Sequence, residues 1–302
     1  MLPSRRTLLQ ALIGVLPLAR FALASGMPDV LTGIRRTSVF QRRYRASAVV
    51  TILGVKVFSR AGVGGGYASV ETGSAGNATG VALQFSAGSW PERAAGLNRF
   101  GILHEYFHDR PEGAETAFSG FITSSKEQSL SEARNALHAP EGGVPVTLAW
   151  GAANAKGAYA NAAHTAVPAK FLWTDAEVVL ADLMRQASAE APQENRATGL
   201  PGFLAAMRHA GLSREPALRS PFLHSGKRYE LHTKWKDKTF RDMEGSIRNA
   251  QRETTAEFKV RYEPGDPSGL PTRFDYHARS YLKLTFEADP GGTQPIPLLM
   301  AE

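Results

Sequence analysis

The segment His104-Glu105-Tyr106-Phe107-His108 holds the residue types in this chain that most directly offer chemistry. Two histidines separated by three residues lie one turn apart on a helix, so their ring nitrogens can share a zinc ion. His104 and His108 therefore raise the hypothesis of a zinc site.

These five residues resemble the H-E-x-x-H motif of the zincin metallopeptidases. The resemblance implies a zinc-dependent hydrolase of peptides, with His104 and His108 as metal ligands and Glu105 as the catalytic base toward a metal-bound water. The extended form of the motif has a glycine and a third histidine where this chain has Pro111 and Ala114. On this hypothesis Glu127 or Glu132 would supply the third ligand.

The conformation of residues 98–109 decides between two interpretations. The helical interpretation rests on apolar residues at Leu97, Phe100, Leu103 and Phe107, and it is weakened by Gly96 and Gly101. A strand is favoured by strict alternation, which puts Phe100, Ile102, His104, Tyr106 and His108 on one side. On a strand the two histidines stand about 13 Å apart, too far to share a metal. We therefore predict a hairpin whose second strand contains Phe118 and Ile122.

Other catalytic patterns are absent from the sequence. The chain has no cysteine, which excludes disulfides, thiolate metal sites and cysteine nucleophiles. The glycines from Gly62 to Gly66 lack the lysine of a phosphate-binding loop and indicate a bulge or a hairpin connection. The favoured interpretation is a non-enzymatic protein without a cofactor, and zinc enters only with the hydrolase alternative.

The first 24 residues have the organisation of an export signal. A polar start with Arg5 and Arg6 precedes an apolar stretch, and small residues at Ala22 and Ala24 form an A-x-A cleavage site. The run Ser4-Arg5-Arg6-Thr7-Leu8-Leu9 resembles the twin-arginine signal of bacteria. The resemblance implies transient contact with the export machinery, cleavage after Ala24 and a periplasmic or secreted location.

The charge of the chain is mildly basic. Removing the three arginines of residues 1–24 reduces the formal net charge from +7 to +4. Basic residues at 228, 234, 236, 259, 261 and 273 alternate with acids along the chain, which indicates a solvated sheet face. We therefore expect no nucleic-acid partner.

The mature chain reads as one domain, residues 25–302, with a polar linker at 192–199. Helical spacing and capping boxes predict helices over 125–137 and 174–189, and Pro201 opens a third helix that extends to His209. Period-two patterns predict strands from Arg43 onward and a meander after Pro221.

These elements predict an α+β fold: a broad, curved antiparallel sheet made of N-terminal hairpins and a C-terminal meander, covered on its inner face by two or three helices. No known family is recognised for the mature chain. Long strands with aromatic and aliphatic inner faces favour an exported binding protein for a lipid-like or other apolar small molecule.

Overall fold

The computed structural model describes residues 35–52, 55–75, 78–96, 98–109, 115–123, 143–154, 157–186, 200–224, 227–279 and 282–291. Several predicted features lie outside these ranges. They are the signal residues Arg5, Arg6 and Ala24, the helix predicted over 125–137, Glu127 and Glu132 within it, and the linker 192–199.

Thirteen strands form one antiparallel sheet in the described part of the chain. They are β1 (Arg35–Ile52), β2 (Val55–Ala75), β3 (Ala78–Ser89), β4 (Phe100–Asp109), β5 (Glu115–Thr123), β6 (Val144–Asn154), β7 (Gly157–Val167), β8 (Ala217–His224), β9 (Lys227–Trp235), β10 (Asp242–Arg248), β11 (Thr254–Arg261), β12 (Arg273–Arg279) and β13 (Leu282–Ala288). Their order across the sheet is β7-β6-β5-β4-β3-β2-β1-β13-β12-β11-β10-β9-β8. Neighbours in the chain pair with each other except β7 and β8, which stand at opposite ends of this order, and the non-local pairing of β1 with β13 joins the two halves.

The predicted antiparallel sheet, with hairpins first and a meander at the end, is confirmed. The α+β class is not, because the chain is mostly β with two short helices among its described residues. Strand β2 continues through the glycines at 62–66, where the pairing register with β1 shifts between Ala46 and Ala48. The glycines therefore form a bulge inside a long strand.

Helix α1 (Ala176–Gln186) follows a single 3-10 turn, and helix α2 (Phe203–Leu212) follows Gly202. Both lie where the sequence predicted helices. Neither has the length and apolar character needed to span a membrane.

The two helices pack on opposite faces of the sheet, which corrects the prediction that one inner face carries them all. Successive residues of a strand point to opposite faces. Strand β4 turns Phe100 and Ile102 toward α1, where they pack in one core with Leu180 and Leu183. The odd-numbered residues of β4 lie on the same face as Leu83, and Leu83 packs near Leu204 and Ala205 of α2.

Trp173, at the start of the 3-10 turn, fixes α1 against the sheet. Its indole is 2% exposed and contacts the rings of Tyr67 and Trp90. A Cβ atom at Gly88 would lie 2.5 Å from the Cβ of Trp173, so only glycine lets the indole approach the strand this closely. The packing of Trp173 on the sheet therefore requires glycine at position 88.

Substitution Gly88→Ala should lower the free energy of unfolding by about 1–3 kcal/mol, because it overpacks the buried indole. Gly101→Ala in β4 is the matched control, since its Cβ would meet Ile122 at an ordinary 3.4 Å. Urea unfolding measures both. Equal losses in the two variants would contradict the packing role of Gly88.

Candidate functional site

The H-E-x-x-H segment lies within strand β4, hydrogen-bonded between β3 and β5. The helix that the zinc hypothesis required over residues 98–109 is therefore wrong. His104 and His108 share one face, about 13 Å apart, and Glu105 points to the other. No three His, Asp or Glu side chains are grouped so that they could hold a metal ion in the described ranges.

His104 belongs to a hydrogen-bonded cluster under helix α1. Its Nε2 lies 2.9 Å from Oε1 of Glu177, in the first turn of the helix. The same oxygen accepts hydrogen bonds from Nε2 of Gln84 and, at 3.3 Å, from the hydroxyl of Tyr67. Three donors from β2, β3 and β4 thus converge on one carboxylate, which ties α1 to three neighbouring strands.

More polar groups of this face surround the cluster. Ser69 donates to the amide oxygen of Gln84 at 3.3 Å, and both side chains are buried. Burial raises the pKa of Tyr67 well above its usual range, and the Glu177 carboxylate adds to the effect. Burial raises the pKa of Tyr106 as well, helped by the charges of Glu177 and Glu71. These phenols stay neutral and can donate hydrogen bonds at any physiological pH.

Glu105 points to the opposite face and caps helix α2. The N-cap residue of this helix, Gly202, makes no side-chain capping bond. Oε2 of Glu105 instead accepts a hydrogen bond from the Ala205 amide at 3.0 Å. A Cβ on Gly202 would lie 2.3 Å from the Glu105 carboxyl carbon, so glycine is needed for the contact. The partner of this helix end is therefore a side chain a hundred residues away.

Glu105 is 2% exposed. Its carboxyl group has a raised pKa. Burial raises its pKa from 4.5 to about 7, although the backbone amides of Phe203, Leu204 and Ala205 act in the opposite direction. An ionised carboxylate suits the positive end of a helix dipole, but the apolar surroundings oppose the charge. The effect of burial is the larger of the two, so the pKa of Glu105 is raised.

The structure separates the three predicted site residues. His104 and Glu105 hold different helices on different faces, and His108 is buried four positions along β4. Sequence analysis missed Glu177 as a partner of His104, although the capping-box pattern drew attention to it. The capping-box pattern concerns contacts within the first turn of the helix, whereas Oε1 of Glu177 accepts a hydrogen bond from a side chain of the sheet. The arrangement is suited to anchoring two helices.

The charged face of the C-terminal meander agrees with its prediction as a solvated surface. Its ion pairs run from strand to strand: Lys236 and Lys259 with Glu244, Arg261 with Asp242, Arg273 with Asp275 and Glu287, and Lys283 with Asp275. Most of these partners are at least one-third exposed, so each pair contributes little to stability. The row is a mixed ladder of both signs.

Comparisons with known proteins assign no family. No family model matches the chain, and no curated protein matches it either. Among solved structures, a β-barrel-like protein of a domain of unknown function, DUF1849, from Brucella abortus is 6% identical in sequence, with a TM-score of 0.43. The match covers 82% of this chain and 95% of that chain.

Substitution Glu105→Gln should change how stability depends on pH. The folded-state pKa of Glu105 is raised from 4.5 to about 7, so the native protein holds a proton that the unfolded chain has lost within this window. The free energy of unfolding of the wild type should therefore fall, relative to the variant, as pH rises from 4.5 to 7. At about 1.36 kcal/mol per pH unit the relative loss is at most about 3 kcal/mol.

Urea unfolding of both proteins at a series of pH values measures this difference, and titrations common to both cancel. A constant difference across the window would contradict the assignment of Glu105 as a buried, partly protonated cap.

Proposed function

We propose that this protein is an exported, non-enzymatic binding protein for a lipid-like or other apolar small molecule. The proposal rests on one observation, an apolar row on the α2 face of the sheet that continues beyond the helix. We call this row the apolar strip. It comprises half-buried side chains of β1, β12 and β13: Val50, Phe274, Tyr276, Leu282, Leu284 and Phe286.

The strip is continuous across three strands. Tyr276 lies opposite Leu284 in the β12–β13 pair, and Leu282 lies opposite Val50 in the β13–β1 pair. The rings of Phe274 and Tyr276 stack with an interplanar angle of 12°. Side chains of this kind, arranged on a rigid sheet, offer a flat contact to an acyl chain or a ring system.

Helix α2 covers the neighbouring part of the same face. Its buried residues Ala206, Met207 and Ala210 pack against a core that includes Trp235 and Met243. The hydroxyl of Tyr262 donates to the carbonyl of Met207 at 3.2 Å. A ten-residue helix is about 15 Å long, so it leaves the Tyr276 and Leu284 part of the row half-buried.

The absence of a catalytic constellation at this strip supports binding over catalysis. Among the described residues, His104 and Glu105 are engaged with the two helices rather than facing the strip. The side chains of the strip are aromatic or aliphatic. Their chemistry favours burial of apolar surface, worth about 25 cal/mol per Å².

Substitution Tyr276→Ser should weaken binding of an apolar fluorescent probe such as N-phenyl-1-naphthylamine. Removing the ring lowers the binding free energy by about 1.4 kcal/mol or more, which corresponds to a tenfold or larger rise in Kd. The matched control is His277→Ser, which changes the adjacent, exposed residue on the other face. Fluorescence titration measures Kd for both variants.

Solvent extraction and mass spectrometry of the purified protein give a second measurement. We expect a bound apolar molecule in the wild type and less of it in Tyr276→Ser. A wild type that is repeatedly empty and binds no probe would contradict the proposal, as would equal Kd values for the two variants.

Export is the cellular part of the proposal, and the Arg5-Arg6 pair supports it. Replacing both residues by lysine keeps the charge and the apolar stretch, so a general secretory signal should tolerate the change. We expect the double-lysine protein to remain in the cytoplasm uncleaved. Fractionation with mass spectrometry of the N-terminus measures this, and unchanged export with cleavage after Ala24 would refute the twin-arginine assignment.

A further inference from the structure

The hairpin of β1 and β2 extends past its neighbours in the sheet. Strand β2 pairs with β3 only from Gly64 onward, whereas its first residues pair with β1 alone. On the other side, the pairing of β1 with β13 stops at Val50 and Leu282. Thr51 and Ile52 pair only with Lys56 and Val55, beyond the edge of the β13 and β3 pairings. We call residues 49–52 and 55–60 the hairpin tip.

Two adjacent apolar side chains are exposed at the hairpin tip. Val57 is 54% exposed and Phe58 is 41% exposed. The two residues are adjacent in the chain, at the point where the register of the β1–β2 pair shifts. Neither side chain is buried against the sheet, and two adjacent exposed apolar side chains form a patch that an apolar partner can cover.

The charge of the hairpin tip indicates what kind of surface it meets. Residues 49–60 include Lys56 and Arg60, both exposed, and contain no acidic residue. Apolar side chains beside cations suit a lipid bilayer with anionic headgroups. The apolar groups enter the interfacial region, and each cation near an anionic surface contributes about 1 kcal/mol.

The hairpin tip is also continuous with the apolar strip. Phe58 lies opposite Val50 in the β1–β2 pair, and Val50 lies opposite Leu282 in the β1–β13 pair. Phe58 therefore extends the same row on the same face. A bilayer that contacts Phe58 would meet the open end of the strip, where an apolar molecule could pass between the two.

We propose that the hairpin tip docks this protein on an anionic lipid bilayer, with Val57 and Phe58 inserted among the headgroups and Lys56 and Arg60 at the surface. The docking surface is independent of the proposed ligand. Its connection to the strip rests on the proposed function.

Vesicle flotation tests the docking. The purified wild type should float with vesicles of phosphatidylglycerol and phosphatidylcholine in equal parts, and less with pure phosphatidylcholine. The double variant Val57→Ser/Phe58→Ser should reduce the floated fraction about tenfold, since it removes two inserted apolar groups. The matched control is Leu172→Ser/Val178→Ser, at residues that are 41% and 73% exposed outside the hairpin.

The charged residues have a separate signature. The Lys56→Gln/Arg60→Gln variant should bind anionic vesicles more weakly, and its binding should depend less on salt. Urea unfolding should show unchanged stability for all hairpin variants, because the substituted side chains are exposed.

A single-cysteine label locates the insertion, since the natural chain has no cysteine. An environment-sensitive fluorophore on Phe58→Cys should shift to the blue when anionic vesicles are added, whereas the same label on Val178→Cys should not. Flotation of the serine hairpin variant at the wild-type level, or a label at position 58 that stays in water while the protein floats, would overturn the proposal. A label at position 58 that responds to a protein partner but not to vesicles would also overturn the proposal.

Probe binding in the absence of vesicles separates the two proposals. The Lys56→Gln/Arg60→Gln variant should keep the wild-type Kd for the apolar probe at Tyr276, because neither side chain belongs to the apolar strip. A protein that docks on vesicles but binds no probe would refute the ligand and leave the docking intact. A protein that binds the probe but does not bind vesicles would refute the docking and leave the proposed ligand binding intact.

Discussion

The alternation of side chains along strand β4 is the constraint on which the arrangement of this molecule depends. Two consecutive residues, His104 and Glu105, are both buried, and a strand must turn them to opposite faces. Buried polar groups are costly unless they find partners. His104 finds Glu177 on α1, and Glu105 finds the amide end of α2. The strand therefore fixes one helix on each side of the sheet.

This constraint explains why the sheet has a separate core on each face. One core surrounds α1 and includes Trp173 and Leu148, and the other surrounds α2 and includes Trp235 and Met243. Because α2 begins at the Glu105 carboxylate and ends at Leu212, its position along the strands is set by its first turn. The apolar strip lies on the same face: Phe274 and Phe286 border the cores that α2 covers, and the strip continues past them to Leu282 and Val50. Phe58 of the hairpin tip extends that row.

Much of the fold could be predicted from local sequence patterns. Period-two alternation located β4, the meander strands and the part of β1 from Arg43 onward, and the two helices appeared where helical spacing and Pro201 indicated them. The alternation of β4 also favoured a strand over the zinc-binding helix, as found. These features depend on residues within a few positions of one another, and such patterns are what a single sequence shows.

The remaining features depend on contacts distant in the chain. The pairing of Tyr44 with Ala288 and the capping of Ala205 by Glu105 join segments that no local pattern relates. The side of the sheet that each helix takes follows from such contacts, so the expectation of one covered face was wrong. The sequence predicted a bulge or a hairpin connection at the glycines 62–66, but the close approach of Trp173 to Gly65 and Gly88 depends on contacts distant in the chain.

Hydrogen exchange in the His104→Ala variant tests most directly whether β4 holds the two helices separately. The variant removes one donor from Glu177 and leaves Glu105 in place. Amides of Ala176–Gln186 should exchange faster than in the wild type, while those of Phe203–Leu212 keep their protection. Equal acceleration in both helices, or none in either, would contradict the account.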